Sequence, residues 1–322
     1  MLYPLIFQPI FKERVWGGRR LETVYHKPLP PSVPIGESWE IADRPEGVSV
    51  ITNGPLAGKD LRWVMENHRQ ELLGQGRAEE RFPLLIKILD AQEALSVQVH
   101  PPSEVASAMG GQPKTEMWYI TEAAPDAAIY LGLNRGVSRS EFQQKLVSGT
   151  VAECIHRQPV AADDSIFLPS GRLHALGAGL LLFEVQQNSD TTYRVFDWNR
   201  LGLDGKPREL HLEEAMASID FDDFEPAILK GRHGNNVPLE IRSLVKDPLF
   251  GVDAWRARTG ESYRFACPQP LIVGMVSGYL RVHGGEESVR LVPGAFCLVP
   301  ASVGRVTVAA ETDSSFLTIQ PG

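Results

Sequence analysis

Three short stretches carry the residue types best suited to chemistry. In Ser96-Val97-Gln98-Val99-His100, strand alternation puts the two valines on one face and Ser96, Gln98 and His100 on the other. Pro101 and Pro102 then end the strand. In Lys114-Thr115-Glu116-Met117-Trp118, Lys114 and Glu116 share a face if the segment is extended. Pro169-Ser170-Gly171-Arg172-Leu173-His174 delivers a histidine just after a turn. Each stretch alone has an ordinary reading: an exposed edge strand, a solvated Lys/Glu pair, a histidine with no ligand role. Together, Gln98, His100, Glu116 and His174 make a four-ligand set for a divalent ion, because imidazole and carboxylate are common zinc ligands and such sites leave positions open for catalysis. No cysteine falls in the set, which excludes a structural cysteine–zinc module.

Other residues suit proton transfer and anion binding. Glu184 lies on the apolar run LLLFEVQ (181–187), where burial raises a carboxyl pKa and makes a better base. Lys114 is the other candidate base, since it stands two residues from a ligand and a nearby cation depresses a lysine's pKa. Arg194, in TTYRVFDW (191–198), is read either as the partner of Glu184 or as a guanidinium fork for an oxyanion or phosphate. Arg200, and more remotely Lys12 and Arg14, add positive potential. Trp16, followed by Gly17 and Gly18, is either an aromatic wall of the site or a core residue.

The chain of 322 residues has 32 basic and 40 acidic residues, a formal charge of −8. That balance argues against a general nucleic-acid binder, which needs a basic footprint. Three cysteines, far apart and odd in number, point to a reducing compartment and not to a disulfide framework. No apolar run approaches the ~20 residues of a membrane helix. No basic residue precedes the apolar N-terminal stretch and no small-residue cleavage site follows it, so it reads as mature protein. The expectation is a soluble, cytoplasmic protein with no nucleic-acid or membrane partner, either a monomer or a weak homodimer.

The elements that must position these residues are mostly strands. Short β-rich runs between scattered glycines and prolines predict a mainly β fold of sandwiches or barrels with a few short helices. Helices are expected at about 58–75, 138–149 and 210–220. In the first, Leu61, Val64, Met65, His68 and Leu72 share a face; in the second, Ser138 and Glu141 form a capping box. The polar stretch GRHGNNVP (231–238) marks a boundary between a catalytic domain, 1–232, and a C-terminal β domain, 233–322. DDSIFLPSGRLHAL (163–176) echoes VPGAFCLVPASVGRV (292–306); with Pro169 set on Pro300, His174 faces Arg305. The second unit is therefore expected to be metal-free, with His283 on its surface and one metal per chain.

These residues resemble a known family. Pro169, Gly171 and His174 look like the second cupin motif, and Gln98-x-His100 followed by Glu116 looks like a stretched form of the first. More specifically, YPLIFQPIFKERVWGG (3–18), IGESWEIADRPEGVSVITNG (35–54), PLLIKILDAQEALSVQVHP (83–101), KTEMWY (114–119), LPSGRLHAL (168–176) and EVQQNSDTTYRVFDWNR (184–200) resemble the type I mannose-6-phosphate isomerases in their compact bacterial form. The resemblance implies two cupin-like jelly-roll β-barrel domains. It also implies zinc, one per chain, on Gln98, His100, Glu116 and His174, and a sugar-phosphate substrate. The resemblance places Lys114, Glu184, Asp190, Arg194 and Arg200 in or near the sugar-phosphate site; Lys114, Glu184 and Arg194 are the catalytic candidates, and Arg200, Asp190, Trp16 and Ser96 the substrate-binding ones. Arg200 stands where some relatives have lysine, which preserves a phosphate contact but not a deprotonatable amine. Two other readings are a cupin metalloenzyme acting on another sugar phosphate and a non-catalytic sugar-binding cupin.

Overall fold

A computed structural model describes residues 2–231 and 240–322 of the chain. Most of the expected boundary segment, residues 232–239, lies outside the described residues. The protein is mainly β, 43% strand and 15% helix, in accord with the expected fold class. It forms two compact units, each assembled from separate stretches of chain: 11–37 with 88–232, and 1–10 with 38–87 and 233–322. No helix among the described residues is long and apolar enough to cross a membrane.

The first unit holds every candidate site residue. One of its sheets has five strands in the order Ile155–Pro159, Ala128–Leu133, His174–Leu176, Val97–Val99, Tyr193–Phe196. A second sheet runs Ser165–Leu168, Glu116–Ala123, Leu180–Gln187 and then, within this unit, residues 88–91, 35–37 and 11–18. Ile129, Leu131 and Leu176 of the five-stranded sheet meet Trp118, Ile120, Ile166, Leu168, Leu180 and Leu182 of the other in one buried cluster. The opposite face of the five-stranded sheet is covered as well: Val97, Val99, Ala175, Tyr193 and Val195 pack with Phe142 and Ala215 from two helices. The predicted valine face of 96–100 is therefore buried under helices, and the polar face looks into the sandwich, which rules out an exposed edge.

The helices are Leu61–Leu73, Arg139–Ser148 and Leu212–Ser218, inside the expected ranges, joined by four-residue turns of helix at Arg20–Thr23 and Ser103–Ala106. Asp60 caps the first by accepting from the Trp63 N–H, and Ser138 accepts from Glu141 in the second. His68 departs from its expected buried face. Its φ of −137° breaks the helical run, and its ring, half-buried, bonds the Glu71 carboxylate at 2.8 Å. The polar ring finds a partner by leaving the apolar stripe.

The second unit contains a six-stranded sheet, Leu5–Ile6, Phe296–Val299, Leu271–Ser277, Ser314–Pro321, Phe250–Ala257, Glu240–Lys246. A four-stranded sheet, Ser262–Cys267, Gly304–Ala310, Leu280–Gly284, Glu287–Leu291, completes its sandwich. The core between them is apolar, with Val273, Met275, Val282, Val299, Val308 and Phe316 fully enclosed.

Candidate metal centre and active site

Three backbone locks bring the motifs together. His174 stands opposite Gln98 in the antiparallel register, and Arg194 stands opposite Gln98 on its other side. These three side chains therefore form one row on the inner face. The turn after Pro169 donates the Gly171 N–H to the His100 carbonyl at 2.8 Å. Gly171 has a φ of +94°, a conformation that favours glycine. The Lys114 N–H bonds Ser170 Oγ at 3.0 Å, tying the third segment to the same turn.

His100, Glu116 and His174 are buried, and their ligand atoms lie within 4.8 Å of one another. His100 Nε2 is 3.4 Å from Glu116 Oε2, and His174 Nε2 is 3.4 Å from Glu116 Oε1. Each imidazole is oriented by a carbonyl. His100 Nδ1 donates to Thr191 O at 2.8 Å, and His174 Nδ1 donates to Arg172 O at 2.9 Å. Both Nε2 lone pairs then point at the centre, the arrangement of metal-ligating histidines. Arg172 is itself fixed by Asp223 at 2.7 and 2.9 Å. The Gln98 carboxamide reaches 3.3 Å from His174 Nε2, and a half-turn of the amide presents its oxygen there.

The electrostatics agree with a cation site. Burial pushes His174 down to about 3, against the pull of Glu116. Burial also lowers His100, and the Lys114 charge adds to it. Both rings are thus neutral at physiological pH, the form that can take up a metal. Burial raises Glu116, but the charge of Lys114 leads the opposing effects and the carboxyl is held well below its usual range. Lys114 Nζ bonds Glu116 Oε2 at 2.5 Å and lies 3.3 Å from His100 Nε2. Glu116 Oε1, fully buried, has no hydrogen-bond partner among the described residues. An orphaned carboxylate oxygen costs about 1–3 kcal/mol or more, and a divalent ion between it and the two Nε2 atoms removes that cost. The residues fit the metal that the sequence pattern implies.

The comparisons with known proteins point the same way. Residues 5–138 match the family model for the catalytic domain of type I phosphomannose isomerase. The chain is 38% identical to mannose-6-phosphate isomerase ManA of Bacillus subtilis over 94% of both chains. It is 36% identical to the mannose-6-phosphate isomerase of Streptococcus mutans, again over 94% of both. This chain belongs to the type I phosphomannose isomerases. Its fold matches the crystal structure of the mannose 6-phosphate isomerase of B. subtilis, with a TM-score of 0.85, 31% identity and coverage of 99% of this chain and 100% of that one. A mannose 6-phosphate isomerase crystallised with zinc and yttrium shares the fold at a TM-score of 0.76 and 15% identity. The cupin fold expected from the motifs is thus the fold of this phosphomannose isomerase, and the family is one of isomerases.

The remaining predicted site residues divide into groups. Glu184 is buried opposite Trp118 in the register and accepts its indole N–H at 3.0 Å; Trp118 in turn meets His174 edge-on at 5.5 Å. Arg194 does not pair with Glu184. Its Nη1 donates to the Glu209 carbonyl at 2.8 Å, and its buried Nε has no hydrogen-bond partner among the described residues. Ser96 is buried on the inner face. Asp190 is exposed, one residue from the Thr191 carbonyl that orients His100. Arg200 is bound to Asp197. Trp16 sits in the apolar core at 3% exposure, beside Leu89 and Leu95; an added Cβ on Gly17 would meet Gly36 N at 2.4 Å. Arg14 is taken up by Glu37 at 2.7 Å.

The sequence reading passed over the carbonyls of Thr191 and Arg172, which have no side-chain signature. It also passed over Gln186, directly opposite Glu116, whose amide is held by the Ser189 carbonyl at 2.6 Å.

Proposed function

We propose that this chain interconverts mannose 6-phosphate and fructose 6-phosphate through a cis-enediol, with one zinc ion held by Gln98, His100, Glu116 and His174. The observation that carries this reading is the orphaned Glu116 oxygen with two neutral, carbonyl-oriented imidazoles turned toward it. Zinc accords with the imidazole and carboxylate donors and with the zinc in the distant relative solved with it. When bound, the ion supplies Lewis acidity toward the sugar's carbonyl and hydroxyl oxygens, worth several kcal/mol.

The protein's own groups do the rest. The isomerisation carries one proton from C2 of the aldose to C1 of the ketose and another between the two oxygens. Lys114 is the candidate proton carrier in contact with the ligand set, so we assign it the transfer on carbon; such a carrier is worth about 10²–10⁴-fold. Glu184 orients Trp118, whose ring closes one side of the centre and excludes water. Arg194, in register with Gln98, faces the sugar from the opposite side with an unused Nε donor. The substrate phosphate lies toward Arg200.

The test is removal and return of the metal. A chelator is expected to abolish turnover of mannose 6-phosphate, and one equivalent of zinc to restore it, with elemental analysis giving one ion per chain. Full turnover in a demonstrably metal-free sample sinks the proposal.

A further inference from the structure

Beyond the ligand row, the first unit gathers three guanidiniums around a single buried carboxylate. Asp197, 6% exposed, has both oxygens in use. Oδ1 accepts from Arg200 Nε at 3.0 Å, Arg200 Nη2 at 2.8 Å and Arg208 Nη2 at 2.6 Å, and Oδ2 accepts from Arg208 Nε at 2.6 Å. Four bonds saturate a carboxylate. The guanidiniums keep donors to spare. Arg200 Nη1 has only the exposed Glu93 at 3.6 Å, and among the described residues Arg208 Nη1 makes no hydrogen bond. Arg194, whose buried Nε is unpartnered, feels both: burial lowers its pKa first, then the charge of Arg208, with Arg200 adding to it. Three cations against Asp197 and the exposed Glu93 leave a net positive charge, which suits an anionic phosphate.

The chain builds this cluster on purpose-shaped turns. Trp198 and Asn199 both take positive φ, 55° each, a strained pair of conformations for non-glycine residues. Their turn brings Arg200 back to Asp197. The strain is offset by Trp198, whose indole donates to the Leu95 carbonyl at 2.7 Å and whose ring packs on Tyr130. Next, Gly202 N–H bonds Lys206 O at 2.7 Å, and Leu201 bridges to Pro207. This closes a loop that returns Arg208 to the same carboxylate. Both ends of the 200–208 loop are therefore anchored on Asp197, with two guanidinium forks fixed side by side.

We infer that Arg208 is a second phosphate-binding residue of this site, beside Arg200, and that Asp197 is the positioning residue that aligns the two forks. The inference rests on the sugar-phosphate reading above and adds to it a bidentate pair in place of one basic contact. A charge-assisted hydrogen bond to an ionised group is worth about 1.5–3 kcal/mol, or roughly 10–100-fold in affinity.

The experiment measures binding of inorganic phosphate, fructose 6-phosphate and fructose by calorimetry, alongside KM and kcat. Arg208→Gln is expected to weaken phosphate and fructose 6-phosphate by about 10–100-fold, and to raise KM by a similar factor with a smaller change in kcat. Fructose should be weakened far less. Arg208→Lys, which keeps the charge but loses the fork, should recover part of the loss, and it carries the test if Arg208→Gln does not fold. Asp197→Asn removes a negative charge, which by Coulomb attraction alone would tighten phosphate; weakening instead identifies positioning. Unchanged phosphate binding in both Arg208 variants, or equal weakening toward fructose, overturns the role of Arg208. Tightening in Asp197→Asn overturns that of Asp197. If the parent binds phosphate through Arg208 yet isomerises nothing, the isomerase reading falls and the clamp stands.

Discussion

The two β sandwiches use one local design with opposite interiors. In the first unit, Ser165–Leu168 leads to Pro169, a tight turn, and then His174. In the second, Phe296–Val299 leads to Pro300, a turn over 301–303, and then Arg305. The position five residues after each proline is a buried histidine of the candidate metal cluster in one case and an exposed arginine in the other. The interiors follow suit. Between residues 241 and 322, the buried polar side chains among the described residues are Ser314 and Thr318, and burial alone pushes the Cys267 thiol up to about 11. The first interior encloses His100, Lys114, Glu116, His174, Glu184 and Gln186. The difference teaches where this chain accepts a stability cost. Burying charged groups is unfavourable unless they are paired or bind a metal, and among the described residues of 241–322 no charged side chain is buried, whereas the first interior encloses several.

Substitutions at the paired positions test this contrast most severely. His174→Ala should abolish zinc uptake and lower kcat by about 10³-fold, the equivalent of several kcal/mol of metal stabilisation. Arg305→Ala should leave metal content and kcat as they are; elemental analysis with steady-state kinetics reads both. Next in size is a core truncation in the second sandwich. Phe316, fully buried, should cost about 3–5 kcal/mol when changed to alanine, seen in denaturant midpoints, while folded molecules retain one zinc each. Loss of metal in that variant would mean that the two interiors are not independent.

Acid gives the smallest effect and sharpens the contrast. His174 is held at about 3 when folded against about 6.5 in an unfolded chain. Below pH 6.5 the unfolded state takes up the proton first, so stability falls as the pH drops from about 6.5 toward 3. At pH 5 His174 alone should cost the metal-free protein about 2 kcal/mol. Comparing urea midpoints of the metal-free protein and its His174→Gln variant between pH 7 and 5 checks this. An identical acid slope in the two would remove His174 as its source.

Much of the site was legible because strand geometry is local. Alternation placed Ser96, Gln98 and His100 on one face, and Lys114 with Glu116 on one face, before any fold was known. The start of the second helix followed from Ser138 with Glu141, a capping box that acts over a few residues. Less legible were features set by distant packing. Leu5–Ile6 pairs with Phe296–Val299 across nearly the whole chain, with no local mark of it. Trp16, beside two glycines, suited a ligand wall as well as a core, and its partners Leu89 and Leu95 come from another segment. Arg208 carries no local mark of its place, because the carboxylate that holds it, Asp197, stands eleven residues back.

From the amino-acid order alone came the strand-rich class, the chemical types of the ligands and the faces they occupy, because side-chain periodicity and turn preference act between near neighbours. Tertiary structure alone decided that Gln98 and His174, 76 residues apart, share one row, that backbone carbonyls select the histidine tautomers, and that one glutamate oxygen is left without a partner. Register, burial and desolvation arise only when remote segments pack, and no local pattern of residues encodes them.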